Sequence, residues 1–512
     1  MTLKLIVGPL LGVEGDSEYT VCFLTPLDVR KAQVNLDEKT FDAEKVRDLP
    51  HGTFWRTSLQ VKIPEGKGSG RVAEYQVLLE GAIAEDVHRR TEWRFYIPAE
   101  NERPKFAYAS CNGVSKADKI TKLDEPFALW RQMSELHNEE PFSMLIMGGD
   151  QIYADSIWDK VSSLDDWSSK KVEEQVVRKS TRQMTTQLDK FYSSLYKQRW
   201  SNEYMSLMLA SVPNVMMWDD HDIFDGWGSF PRDLQNSDVF SEIFRHAKKY
   251  FELFQIRTLM NRTLLSGDGD HYAFGFTFRG LSILALDNRS ERSIRRVMSD
   301  AQWGDVMNYL DRTKQGSLFV MSAVPVVYRD FSFTESAMDL TPWHEDLEDD
   351  LKDHWRAKEH QGERNRLIMN LLDNAKLRQQ QDGLSKTVFL SGDVHVGCLG
   401  VVTDFRNERL VKLHQVVSSG IVHPAPSLIQ WLGIAAVTND DVEPINEEST
   451  IEARMLTPVG SKRYIRKRNF VTVKEGTDDK LWINWITEDM CRGETFDQPL
   501  YPIASSPDTS KK

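Results

Sequence analysis

The sequence predicts an α/β chain with α+β character: a mixed β-sheet core flanked by helices, behind an N-terminal β-sandwich-like domain. Three observations carry this. The first hundred residues hold short runs rich in β-branched and aromatic residues, separated by turn signals. From Phe106 on, short apolar strands alternate with longer amphipathic segments. Several of those strands stop at acids, a cysteine or a histidine, most plainly in FSMLIMGGDQIYAD, Phe142 to Asp155.

In chain order, Tyr19–Leu24, Phe54–Val61, Glu74–Leu79 and Glu92–Ile97 read as strands, with Pro64–Gly68 as a turn and Pro98–Pro104 as a linker. Phe106–Ser110 is a strand that ends at Cys111-Asn112-Gly113, and Phe127–Leu136 a helix. Met144–Met147 is wholly apolar, as a strand buried on both faces requires. Val172–Tyr204 reads as one long amphipathic helix, Val215–Trp218 as a strand and Val239–Ile256 as a helix. His271–Phe278 and Leu281–Leu286 form a hairpin-like pair, Leu318–Val327 a strand, Glu363–Arg378 a helix and Thr387–Leu390 a strand. Gln415–Val417 runs into SSGIVH, and Asn469–Lys474 and Leu481–Ile486 close the sheet. The expected domains are 1–103, 104–504 and a frayed tail at 505–512.

The 512 residues are 40% hydrophobic and 28% charged, which suits a globular chain with a large core. A net charge of -13 argues against general nucleic-acid binding. The four cysteines are scattered without a CxxC pair, against a disulfide framework or zinc knuckle. The N-terminal Leu5–Val13 run reads as a strand and turn rather than a signal peptide. No run approaches the ~20 apolar residues of a membrane span. A cytoplasmic location is expected, or a periplasmic or secreted one if a leader is missing.

The chemistry lies at the strand ends: Cys111, Asp150 with Tyr153, Asp219-Asp220-His221, and Asp393 with His395. Open α/β sheets hold ligands at the C-terminal ends of their strands. Hard oxygens and an imidazole suit divalent or trivalent cations. Asp150 is placed to be shared between two ions, an arrangement useful in phosphate-ester hydrolysis. Asp219 reads as a turn residue or hydrogen-bond acceptor, and Arg289 as a holder of a phosphate oxygen. His423 is a second-site contact or a structural histidine. The acidic stretch 344–353 reads as a solvated helix or lid, and His354-Trp355-Arg356 as lining for the pocket mouth.

These motifs resemble the calcineurin-like metallophosphoesterases, and among them the PhoD-type alkaline phosphatases. GGDQIYAD, WDDHD and SGDVH stand in the superfamily's order. Ser110-Cys111-Asn112, Asp150 with Tyr153, Asp219-Asp220-His221 and Asp393 with His395 match the PhoD-type variants over roughly 106–423. The resemblance implies that Cys111, Asp150, Tyr153 and Asp393 ligate a ferric ion. It implies that Asp150, Asp220 and His395 face a partner ion of calcium type, with zinc or manganese as fallback metals. It places His221 beside the leaving group, as a proton donor or charge stabiliser.

The expected function is therefore metal-dependent hydrolysis of phosphate monoesters or diesters, on a small-molecule or polymer substrate. The alternative is a phosphate-ligand binding protein that keeps the fold without turnover. An amide hydrolase on a TIM barrel fits poorly, because that fold alternates β and α strictly. The chain departs from the secreted relatives in lacking a twin-arginine pair near its start. Insertions at 162–171 and 332–355 are expected to alter access.

Overall fold

The computed structural model describes residues 3–66, 69–115, 120–121, 123–329, 354–406, 409–491 and 498–505. The elements that place the site are β1 (Val7–Val13), β2 (Glu18–Thr25), β3 (Phe106–Ala109), α1 (Ala128–Glu139), β4 (Met144–Gly148), α2 (Arg182–Arg199), α3 (Glu203–Ser211) and β5 (Asn214–Met217). They continue with α4 (Asp238–Phe254), β6 (Leu281–Ala285), α5 (Asp300–Arg312), β7 (Ser317–Met321), α6 (Gln361–Asp382), β8 (Thr387–Ser391), β9 (Val411–Val417) and α7 (Leu428–Val437).

Two mixed sheets pack face to face. At the centre of the ten-stranded first sheet, β3, β4 and β5 run parallel, flanked by β1 on one side and Asn469–Glu475 on the other. In the nine-stranded second sheet β6, β7, β8 and β9 are parallel neighbours. Side chains alternate with period two. Phe106, Tyr108, Met144 and Ile146 meet Phe319, Met321, Val388 and Leu390 between the sheets. Phe106 and Phe319 touch edge to face at 4.9 Å. The intervening residues Ala107, Leu145 and Met147 face outward against α1, α2, α3 and α4. Leu318, Val320 and Phe389 face α5 and α6. The mixed sheet core between helical layers is thus the expected one.

Two details differ from the sequence reading. The 172–204 stretch is three helices, Val172–Val177, α2 and α3. Thr181 and Asn202 each accept an amide hydrogen bond at a helix start, so two side-chain caps restart the chain where the polar periodicity ran on. Secondly, the sheet does not stop at residue 103. Ala32–Leu36, Arg71–Leu79 and Trp93–Ile97 belong to a third, five-stranded sheet that packs on β1 and β2. Yet β1 pairs in parallel with β5 through Gly12 and Asn214, and β1 and β2 thereby extend the first sheet. Asn214 Nδ2 donates to the Leu11 carbonyl at 2.7 Å across that seam.

Of the two insertions, 162–168 is a short helix anchored by Leu164 and Trp167. Residues 332–353, with the acidic stretch, lie outside the described residues, as does the tail from 506. Trp355 does not line a pocket mouth: it is fully buried and donates to Ser322 Oγ at 3.0 Å.

Candidate metal centre

The parallel strands end together, and their loops interlock through the backbone. The amide of Cys111 donates to the Gly149 carbonyl at 3.2 Å, and that of Asn112 to the Asp150 carbonyl at 2.8 Å. The Cys111 carbonyl accepts from the amides of Val422 and His423, which draws the loop after β9 to the same place. Close approach requires glycine at two points. A Cβ on Gly149, whose φ is +102°, would stand 2.8 Å from the Asp219 Cβ. One on Gly392 would stand 2.3 Å from Ser110 Oγ.

Five non-glycine residues here adopt left-handed backbone: Cys111 (φ 51°), Asp150 (59°), Tyr153 (52°), Asp393 (66°) and His395 (53°). Such a conformation costs on the order of 1–3 kcal/mol per residue, and surrounding structure must hold it. Asp and His tolerate it best; Cys and Tyr do not. Strain concentrated on the very residues expected to be ligands is the local signature of a built site.

Ligand atoms of Cys111, Asp150 and His395 lie within 4.8 Å of one another, as do those of Asp150, Asp220 and His221. Those of Asp219, Asp220 and Asp393 form another such group. Asp150 belongs to two of them. The Tyr153 hydroxyl is 3.5 Å from Asp150 Oδ2 and 3.3 Å from His395 Nε2. All six expected metal ligands therefore converge, with His221 beside them.

Cys111, Asp150 and Tyr153 are each at most 1% exposed. Burial pushes the Asp150 carboxyl well above the usual range; Asp219, Asp220 and Asp222 add to this against the opposing His221. Burial likewise raises the Cys111 thiol, with Asp150 adding to it, and the Tyr153 phenol, with Cys111 and Asp150 adding to it. Asp150 Oδ1 and Asp220 Oδ1 have no hydrogen-bond donor. Buried acids crowded together without donors are costly unless a cation joins them. Thiolate, phenolate, carboxylates and imidazole are a donor set that fits metal ions.

His221 stacks on Tyr153 at 4.4 Å, and its Nδ1 lies 2.9 Å from Asp155 Oδ1. Burial alone would lower this imidazole, but Asp155, Asp220 and Asp150 together hold it well above its ordinary value. Asp155 also accepts the Asp225 amide at 2.9 Å, so it fixes both the ring and the loop that follows. The sequence reading gave Asp155 no role, although it sits in the same motif as Asp150. It also gave none to Asp222, which accepts from the amides of Asp219, Gln151 and Ile152 and so ties the two acidic loops together. His423 stacks on His395 with ring centres 3.5 Å apart, and its Nδ1 bonds to the Pro424 carbonyl at 2.9 Å.

Arg289, expected to hold a phosphate oxygen, stands beside the acids. Its guanidinium is fully buried, donates to Asp219 Oδ1 and to the Trp227 carbonyl, and stands 3.5 Å from Asp220 Oδ1. It thereby orients both acids. Asp219, expected as an acceptor, accepts from it.

The chain was compared with known proteins. A profile of the family described as PhoD related phosphatase matches residues 82–342, just over half the chain. The uncharacterized protein YGR266W of Saccharomyces cerevisiae is 26% identical over 440 residues, covering 73% of this chain and 59% of that protein. The chain thus spans less than two thirds of the length of this relative. The solved structure of PhoD superposes with a TM-score of 0.60 at 14% identity, over 99% of this chain and 93% of that one. Purple acid phosphatase PPD1 from yellow lupin (Lupinus luteus) seeds gives 0.52 at 13% identity, over 97% and 74%. At these identities the two structures speak for the fold, which is that of the metallophosphoesterases. Taken with the profile match, they make this chain a member of the PhoD-related phosphatase family.

Proposed function

We propose that this chain hydrolyses phosphate esters at a centre of two or more metal ions. The observation that carries the reading is the buried ligand cluster at one sheet edge, with carboxylate oxygens of Asp150 and Asp220 lacking hydrogen-bond donors. Cys111, Asp150, Tyr153 and Asp393 would hold one ion, and Asp150, Asp220 and His395 its partner. Thiolate and phenolate donors favour ferric iron for the first. Calcium for the second rests on the resemblance, with zinc or manganese as fallbacks. Metal ions bound here supply an ionised water near neutral pH and offset charge on the phosphoryl oxygens.

The protein's own residues supply the rest. Asp155 accepts from His221 Nδ1–H and orients the ring; in its imidazolium form the ring carries a second proton on Nε2, available to a departing oxygen. Arg289 and Asp219 hold Asp220 in place, as outer partners of metal ligands do. Tyr153 also lines a cavity of about 570 Å³ with Val114, Phe127, Lys160 and Arg199, room beside the centre for part of an ester.

Elemental analysis and visible absorption of the purified protein, with a screen of mono- and diesters, test this reading. The expected result is bound iron with thiolate or phenolate charge-transfer colour, and turnover of at least one ester class. A colourless, iron-free protein that hydrolyses esters would move the first ion to zinc or manganese. Phosphate binding without turnover of any ester would overturn the enzymatic reading.

A further inference from the structure

Five residues after His423 the chain enters α7, whose sequence LIQWLGIAAV has no charged residue and one polar one. Ser427 caps it, exchanging hydrogen bonds with Gln430, so it is a well-started helix. Its apolar side chains are not all inside. Leu428 is 59% exposed, Ile429 70% and Leu432 58%. With the exposed Ala436 they occupy positions i, i+1, i+4 and i+8, which is one stripe of the helix. Trp431 and Ile434 turn the other way and are half-buried. A stripe of large aliphatics on a surface needs a reason.

The neighbourhood supplies one. Trp431 rests on Tyr464 with ring centres 5.0 Å apart, and the Arg329 guanidinium lies against both rings. Arg329 Nε and Nη2 also donate to Thr438, fastening the C-terminal end of α7. Tyr464 sits in KRYIRK, residues 462–467, four of whose six side chains are basic. Lys462 and Arg463 are exposed, Arg466 and Lys467 half-exposed, with Lys467 paired to Asp489. Of the acids that follow the helix, Asp440 is bonded by Arg463 at 2.8 Å and faced by Arg329 at 3.5 Å, Glu443 is paired with Arg364, and Asp441 is exposed. In a chain of net charge -13, an uncharged apolar stripe beside a basic, aromatic segment is a local reversal.

We propose that α7 and residues 462–467 dock this protein on the surface of an anionic lipid bilayer. Aliphatic side chains would enter the headgroup boundary while Lys462 and its neighbours meet anionic headgroups and Trp431 and Tyr464 lie between. α7 has ten residues, and no described helix is long and apolar enough to cross a membrane, so the contact is peripheral. The short 424–426 connection to His423 sets the ligand cluster close to the docked face. The docking does not depend on which ester is cleaved.

The test is flotation of the full chain with vesicles of phosphatidylcholine, with and without phosphatidylserine. Flotation with the phosphatidylserine vesicles, weakened when salt is raised to ~1 M, is expected. The triple variant Leu428→Ser/Ile429→Ser/Leu432→Ser should lower the bound fraction by about tenfold or more. Lys462→Glu should lower it by less. Unchanged circular dichroism, thermal midpoint and ester turnover in solution would show that the exposed changes left the fold alone. Absence of flotation, or a triple variant that floats like the parent, would overturn the proposal. So would a concentration-dependent dimer that the triple variant abolishes without any flotation, since the stripe would then face a second copy.

Discussion

The two ends of the parallel strands in the two packed sheets treat buried charge in opposite ways. At the N-terminal ends of β7 and β8, Arg378 is fully buried, and burial lowers its guanidinium to about 10, still charged near neutral pH. Each of its nitrogens finds an acceptor: Nε donates to Asn374 Oδ1 at 2.8 Å, Nη1 to the Gly316 and Lys386 carbonyls, Nη2 to Thr387 Oγ1. Asn374 in turn donates to the Leu310 and Thr313 carbonyls at the end of α5. At the C-terminal ends, acids, a thiol and a phenol face one another, and carboxylate oxygens of Asp150, Asp155 and Asp220 lack donors. Completeness marks the first cluster as a fastening of strands and helix. Incompleteness marks the second as a place for a cation, where strain and repulsion are tolerated because binding relieves them.

The sharpest way to break this contrast is Asp150→Asn. Both expected ions lose a negative ligand together, which is several kcal/mol of transition-state stabilisation, so turnover should fall by about 10⁴-fold. Metal analysis should find both ions depleted. The metal-free variant should melt no lower than the metal-free parent, because the amide removes one of the crowded acids. A fully metallated, active Asp150→Asn protein would sink the site model.

His221→Ala comes next. Its ring touches Tyr153 and is fixed by Asp155, so its loss should leave the metals in place and lower kcat by about 10²- to 10⁴-fold. Alkyl phosphates should suffer more than nitrophenyl esters, whose leaving group hardly needs a proton. Loss of metal would make His221 a ligand. An equal deficit for good and poor leaving groups would make it a substrate-orienting residue.

At the opposite end the readout is stability. Arg378→Met removes a cation that satisfies the carbonyls just before β7 and β8 and leaves several buried acceptors unmatched. The cost is about 3 kcal/mol. A lowered thermal midpoint, with metal content and turnover per folded molecule unchanged, is the expected outcome. A variant that instead lost metal would mean that the two ends are not independent.

Much of this was legible in the sequence because it is local. An apolar run followed closely by a ligand-type residue writes strand and ligand in neighbouring letters: Asp150 and Asp393 come after a glycine, Cys111 and Asp220 within two residues of the apolar run with no glycine between. What escaped depends on direction or on distant pairing. Arg289 stands after a strand like the others, but only its rotamer sets it against Asp219 and Asp220. Asp155 is five residues past Asp150, and its partner His221 is 66 residues away. The β1–β5 seam joins positions about two hundred residues apart through Asn214, which no periodicity announces. The two caps that split 172–204 were visible as Thr181 and Asn202, but amphipathic periodicity outweighed them in the reading.

The smallest effect contrasts two buried histidines. His221 is held up by carboxylates, whereas His414, inside β9, is surrounded by core and strand neighbours and pushed down to about 3 by burial, with Lys412 adding to it. A depressed imidazole is neutral in the fold, while the unfolded chain takes up its proton near pH 6.5. Its contribution is therefore fully present above that pH. It is lost as pH falls toward the folded value, at up to about 1.4 kcal/mol per pH unit. Between pH 7 and pH 5 this amounts to about 2 kcal/mol. His137, lowered to about 4, acts in the same direction, so the parent's own pH profile mixes several groups. The difference between parent and His414→Leu isolates one. The midpoint of the parent should fall relative to that of the variant as the buffer is taken from pH 7 to pH 5, with both proteins free of metal. Parallel profiles would mean that His414 titrates normally in the fold and that its burial has no bearing on acid stability.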